Sequence, residues 1–155
     1  MNTKLIRAKV SDAEHYVRIG KRTTSRFNRV TTDPVDAAEE IAASTTYLIE
    51  FDEQIVGFVS YAKKYPEHAY IAEVQVDPDF QGRGIGGFAL DFILKEIGTT
   101  PIVDLHTHPE NPAQRLYSRF GFEQTGEIIE NYHDTGEPRM RMALRREHIP
   151  VWPCD

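Results

Sequence analysis

Val76-Asp77-Pro78-Asp79-Phe80-Gln81-Gly82-Arg83-Gly84-Ile85-Gly86-Gly87-Phe88-Ala89-Leu90 is the stretch on which the reading of this chain turns. A strand-like run from Tyr70 to Val76 precedes it. A helix follows, whose apolar residues Ile85, Phe88, Ala89, Phe92, Ile93 and Ile97 are spaced to share one face. Four glycines, Gly82, Gly84, Gly86 and Gly87, fall within six positions where strand gives way to helix. Without Cβ atoms they let the backbone take positive φ and let several N–H groups converge on one point. The unpaired N–H groups of the first helical turn and the positive end of the helix dipole are directed the same way, and Arg83 adds a mobile cation. Such a turn suits phosphate oxygens.

Two ligand readings fit the glycines, beside the plain one of a structural turn. Gly82, Gly84 and Gly87 satisfy the dinucleotide pattern G-x-G-x-x-G, with Asp104 near the place of a ribose-binding acid. Spacing opposes it: residues 77–81, Pro78 among them, separate strand from first glycine, whereas a dinucleotide turn follows its strand almost at once. The chain behind is also too short for a doubly wound sheet. Read instead as Gln81-Gly82-Arg83-Gly84-Ile85-Gly86, the loop resembles the Q/R-x-x-G-x-G/A signature of the GNAT superfamily of acetyl-CoA-dependent N-acetyltransferases.

Composition narrows the class. A chain of 155 residues makes one domain with room for a core, so a single domain over 1–155 is expected, with its core at 5–144 and a tail at 145–155. The net charge of −6 argues against a broad nucleic-acid surface. The lone Cys154 offers no disulfide and points to a reducing compartment or indifference to it. Residues 1–10 hold no apolar run fit for a signal peptide, and no stretch reaches membrane-spanning length, so the expectation is a cytoplasmic protein with no membrane partner.

Taken in order, residues 5–10 read as a first strand, and Ser11-Asp12-Ala13-Glu14 as a capping box opening a helix with Ala13, Tyr16 and Val17 inward. Residues 21–32 carry Lys21, Arg22, Arg26 and Arg29 among threonines, a pattern that fits a solvated loop or a lid over an acceptor. Asp33 and Pro34 start a second helix. Strands are expected over 45–51 and 55–63, joined by a hairpin at Asp52-Glu53-Gln54, and over 69–76. Gly98 should end the glycine-loop helix. Residues 101–106 should return parallel to the preceding strand by a right-handed crossover. A helix from Pro112 to Gly121 and a hairpin of 122–132 with 139–144 around Asp134-Thr135-Gly136 close the domain.

That order matches the GNAT resemblance, which covers residues 5–144. It implies a mixed α/β (α+β) fold: a mostly antiparallel central sheet of about six to seven strands, helices on both faces and a splayed parallel strand pair. A second segment, Asn111-Pro112-Ala113-Gln114-Arg115-Leu116-Tyr117-Ser118-Arg119-Phe120-Gly121-Phe122, is similar to the family's N-x-x-A-x-x-L-Y-x-x-x-G-F, with one residue fewer after Asn. Counting back from Tyr117 puts Glu110 in the Asn place, so Asn111 and Glu110 both stand for it.

The resemblance implies acetyl-CoA as co-substrate, its pantetheine arm bonded to the backbone at Val74, Gln75 and Val76 and its pyrophosphate on Gln81, Gly82, Arg83, Gly84, Ile85, Gly86 and Gly87, with Asn111 and Tyr117 also lining the cofactor. The chemistry requires deprotonation of an ammonium, a donor for the thioester oxyanion and a proton for the departing thiolate. Tyr117 is similar in position to the family's tyrosine acid. Its alternative is a core tyrosine, since Ala113 and Tyr117 lie one turn apart. For the base, Glu73 shares a strand face with Ile71 and Gln75, and that face is either the proposed acetyl site or an exposed side of the sheet. His106 is the other candidate. His106 and His108 form H-x-H, but no further ligands stand at metal spacing, so no metal is expected. The acceptor is expected to be a small-molecule amine or a peptide N-terminus, and a homodimer is compatible with the pattern. An acyl-CoA-binding sensor without turnover is the reading from another class.

Overall fold

The structure, a computed structural model, describes residues 2–132 and 135–146, Lys64 by its backbone alone. The turn residue Asp134 and the tail with Trp152 and Cys154 lie outside the described residues. Among the described residues seven strands form a mixed sheet in the order β1-β2-β3-β4-β5-β7-β6, and four α-helices accompany it. The strands are β1 Thr3–Arg7, β2 Thr45–Phe51, β3 Gln54–Tyr65, β4 His68–Val76, β5 Ile102–Thr107, β6 Glu123–Ile129 and β7 Arg139–Arg145. The helices are α1 Ala13–Thr23, α2 Pro34–Ala43, α3 Ile85–Ile97 and α4 Gln114–Arg119. The expected mixed sheet with one parallel pair is thus observed. β1/β2, β2/β3, β5/β7 and β6/β7 run antiparallel. β4 and β5 run parallel, in register from His68↔Ile102 to Tyr70↔Asp104. No helix among the described residues is long and apolar enough to cross a membrane.

The chain divides into two compact units, one comprising the chain up to residue 62 with 71–96, the other 63–70 with the chain from 97 onward. In the first, Tyr16, Ile19, Ala37, Ile41, Leu48 and Phe58 pack into one apolar cluster, and the Tyr16 ring stacks on Phe58 at 3.9 Å. The β2–β3 hairpin turns on Asp52 and Glu53, with φ of 49° and 70°. Two successive left-handed residues give the turn whose twist matches the flanking strands. α2 opens as expected: the Asp33 carboxylate accepts from the Asp36 N–H at 3.1 Å, and Pro34 follows it.

Two local expectations fail. Ser11 does not cap α1. A 3₁₀ turn at Val10–Asp12 precedes the helix, and the Asp12 carboxylate accepts from the Lys9 N–H at 2.8 Å, so the reciprocal bond forms one turn earlier. On α3, Phe88 is 46 % exposed, while Leu90 and Leu94 join Ile85, Ala89, Ile93 and Ile97 in the interior. At 100° per residue, the row Ile85–Ala89–Ile93–Ile97 sets the centre of the stripe. Leu90 lies on its near flank and Phe88 nearly opposite.

In the second unit, Val103, Leu105, Phe122, Met140 and Met142 are buried. Asp104, 4 % exposed, accepts from Arg141 Nε at 2.6 Å and meets His68 Nε2 at 2.8 Å. α4 starts later than Pro112, because the Asn111 side-chain oxygen takes the Ala113 N–H at 2.9 Å in a local turn. It stops at Gly121, φ +98°, where the N–H groups of Phe122 and Gly121 close back on the carbonyls of Tyr117 and Ser118 at 3.1 and 3.0 Å.

Candidate active site

The glycine loop and α3 as far as Glu96 belong to the first unit. Gly82 and Gly84 hold φ of +80° and +78°, and a Cβ placed on either would meet nothing within 4 Å. These glycines are therefore demanded by backbone conformation, with open space above them. Gly84 closes the first helical bond, its carbonyl accepting the Phe88 N–H at 3.0 Å. The N–H groups of Ile85, Gly86 and Gly87 accordingly start α3 without intrahelical partners. No acidic residue stands in that first turn. Unpaired donors, a positive dipole end and free space fit phosphate. Gln81 braces the approach, its Nε2 donating to the Val76 carbonyl at 3.0 Å. Arg83 differs from the mobile cation expected, since its guanidinium lies 5.1 Å from the Phe80 ring centroid and 5.7 Å from that of Phe51.

β4 delivers the candidate base. Ile71 and Gln75 are buried and Ala72 is exposed, so Glu73 sits on the inward face, half-buried, and not on an open side of the sheet. Gln75 Nε2 donates to Glu73 Oε1 at 2.9 Å. Burial pushes the Glu73 carboxyl up to about 7; the Gln75 bond pulls against it and the negative charge of Glu40 adds to it. Tyr16 links these carboxylates: its hydroxyl donates to Glu40 Oε1 at 2.6 Å, and burial followed by the Glu73 charge raises its pKa. The Thr31 hydroxyl also donates to Glu40.

The second unit holds the remaining candidates. Tyr117 is 9 % exposed on α4, its ring edge-on to Phe122 at 6.2 Å. His106 Nδ1 lies 3.1 Å from the Tyr70 hydroxyl, and its ring is 5.1 Å from that of Tyr132. His108 is 1 % exposed; its Nδ1 accepts from the Glu110 N–H at 3.0 Å, which leaves Nε2 to donate to Glu137 Oε1 at 2.9 Å. The two histidines of H-x-H therefore serve different partners. Asp104, the ribose candidate of the dinucleotide pattern, is held by Arg141 and His68.

Sequence reading passed over several residues that shape β4. A Cβ on Gly57 would come within 2.2 Å of the Gln75 carbonyl oxygen, so only glycine lets β3 approach there. Beside it the Asp77 N–H donates to the Val56 carbonyl at 2.7 Å. An isolated glycine inside a strand run was the available signal. Tyr16 is inward on its helix as expected, but its link to Glu40 and Glu73 left no signal, because the three come from elements far apart in the chain.

Comparisons with known proteins agree on a family. The model of the Acetyltransferase (GNAT) family matches residues 17–122. A mycothiol acetyltransferase of Brachybacterium faecium is 34% identical over 86 residues, which cover 51% of this chain and 26% of that protein. The chain thus matches about a quarter of that relative's length. The ribosomal protein bS18 alanine N-acetyltransferase of Salmonella typhimurium is 34% identical over 74 residues, 46% of this chain and 49% of that one. In fold, the crystal structure of the corresponding Escherichia coli alanine N-acetyltransferase superposes with a TM-score of 0.78 at 20% identity, covering 93% of this chain and 94% of that one.

Proposed function

This chain belongs to the Acetyltransferase (GNAT) family, and from that premise we propose that it transfers an acetyl group from acetyl-CoA to a primary amine by direct attack in a ternary complex. The observation that carries the reading is Glu73. It is a half-buried carboxyl with no cationic partner among the described residues, and burial sets it at about 7. Ionised, it takes a proton from the acceptor ammonium, directly or through water, and frees the nitrogen lone pair. The nitrogen attacks the thioester carbon; N–C forms, C–S breaks, and the second proton shed by the nitrogen passes through water to the Tyr117 phenolate left when that phenol protonates the thiolate. A backbone N–H at Val74, Gln75 or Val76 bonds the oxyanion. Tyr117 gives its phenolic proton to the leaving thiolate, which an ordinary phenol of pKa about 10 still holds at neutral pH. Gln81 to Gly87 and the start of α3 bind the pyrophosphate, and Asn111 shapes the turn into α4. His106, hydrogen-bonded to Tyr70, is the second candidate base.

Relatives bearing the names mycothiol acetyltransferase and ribosomal-protein alanine N-acetyltransferase support an acceptor that is a small-molecule amine or a peptide N-terminus. The test is a panel of both kinds, read as acetyl-CoA-dependent thiol release, beside calorimetric titration with acetyl-CoA and with NAD. Saturable acetyl-CoA binding, silence with NAD and turnover of at least one amine are expected. Binding without turnover across the panel would favour the acyl-CoA-binding module, and saturable NAD binding would return the loop to the dinucleotide reading.

A further inference from the structure

Arg22 stands in the last turn of α1, inside the charge run that the sequence left between solvated loop and acceptor lid. It is neither free nor a lid. Its Nε donates to Asp77 Oδ2 at 2.8 Å and its Nη2 to Asp79 Oδ2 at 3.0 Å, so one guanidinium spans two carboxylates. Asp77 is 7 % exposed and organises the turn that leaves β4: its Oδ1 accepts the Asp79 N–H at 2.9 Å. Asp79 is open to solvent, and Arg22 is its ion-pair partner. Both carboxylates precede Gly82 by only a few residues. They place negative charge at the approach to a loop whose own donors, free space and acid-free helix start suit an anion. Arg83, the cation inside the loop, lies over Phe51 and Phe80.

Resting on the reading of that loop as the pyrophosphate site, we propose that Arg22 is a positioning residue for the cofactor. It offsets one of the two negative charges of Asp77 and Asp79 and fixes the turn between β4 and the glycines, so that acetyl-CoA phosphates meet the helix N-terminus against less carboxylate repulsion. Its action is on charge next to the phosphates and not on the acetyl group. Loss of Arg22 therefore weakens whatever carries phosphate and spares what does not.

The experiment measures dissociation constants by calorimetry for acetyl-CoA and for S-acetylpantetheine, which keeps the thioester and the arm but lacks phosphate. Arg22→Met should weaken acetyl-CoA by about tenfold at low salt, less at high salt, and leave S-acetylpantetheine unchanged. Asp79→Asn in the same chain should restore most of the loss, because the uncompensated charge is gone. Asp79→Asn alone keeps Asp77 and its turn, and should tighten acetyl-CoA severalfold, an outcome that stands even if Arg22→Met fails to fold. Equal weakening of both ligands, or no recovery with Asp79→Asn, would overturn the proposal. Gly86→Asp tests the loop separately, since an acid in the first turn suits the helix but repels phosphate. If it leaves acetyl-CoA affinity intact, the loop reading itself fails. If it weakens acetyl-CoA while Arg22→Met does not, only the role of Arg22 is rejected.

Discussion

Two carboxylates taken from the interior of this chain have opposite fates. Asp104, on β5, is held by Arg141 Nε at 2.6 Å and faces His68 Nε2 at 2.8 Å, so its charge is matched where it stands. Glu73, on β4, is hydrogen-bonded among the described residues by the neutral Gln75 amide at 2.9 Å, with the negative charge of Glu40 also acting on it. Burial costs both of them hydration, but only Asp104 recovers it through a cation. A matched buried carboxylate serves the fold. An unmatched one is poised to exchange a proton near neutral pH, which is the property the proposed base needs.

The contrast can be broken at several points. Tyr117→Phe should show an effect on activity as large as any predicted here if the phenol is the acid: about 10²–10⁴-fold on kcat with acetyl-CoA affinity and melting temperature little changed. Full activity would make Tyr117 a core residue beside Phe122 and water the proton source. Asp104→Ala should strike the other property. Leaving Arg141 and His68 without their carboxylate should cost about 3 kcal/mol in chemical denaturation, with kcat per folded molecule preserved. A fall in kcat without a fall in stability would erase the distinction between the two acids.

The smallest effect belongs to Glu40→Gln. Its charge adds to the upward push on Glu73, so its removal should move the acidic limb of the rate profile toward lower pH. The Gln amide offers one oxygen where Glu40 offers two, so one of the Tyr16 and Thr31 hydroxyls loses its acceptor and stability should fall by about 1 kcal/mol. A limb that stays in place would show that Glu40 does not act on the titrating group.

How much of this was legible in the sequence follows from where each signal lies. The loop from Gln81 to Gly87 and the parallel pair around it were legible, because glycine punctuation, strand run and helical spacing are all local. The Asp33–Pro34 start of α2 and the halt at Gly121 were legible for the same reason. Arg83 could be read as a charge but not as one lying over Phe51, which comes from a distant strand. The side of β4 on which Glu73 falls was fixed by alternation, but whether that side was buried depended on α1 and α2. Ser11 fitted a capping pattern, whereas the bond that forms is the Lys9 N–H to the Asp12 carboxylate, and propensity alone does not choose between them.

The pH dependence of Glu73 itself tests the account most directly. The carboxyl is at about 7 in the folded chain against an ordinary value of 4.5, so the protonated form is favoured by folding. The contribution of Glu73 to stability is greatest at acid pH and declines as pH rises from the ordinary value through the folded one. Glu73→Gln removes that penalty, and the variant should be more stable than the parent at alkaline pH by about 1–3 kcal/mol, the difference fading toward acid. Activity runs the other way: kcat of the parent rises with pH through about 7 as the base ionises, and the variant should lose about 10²–10⁴-fold together with that limb. The decisive measurement is therefore the pH–kcat profile of both proteins on one accepted amine, with denaturation curves at the same pH values. A variant that is slower, flat across the limb and more stable at alkaline pH is the predicted result. A variant that keeps both the rate and the limb would contradict the assignment and pass the role of base to His106 or to water.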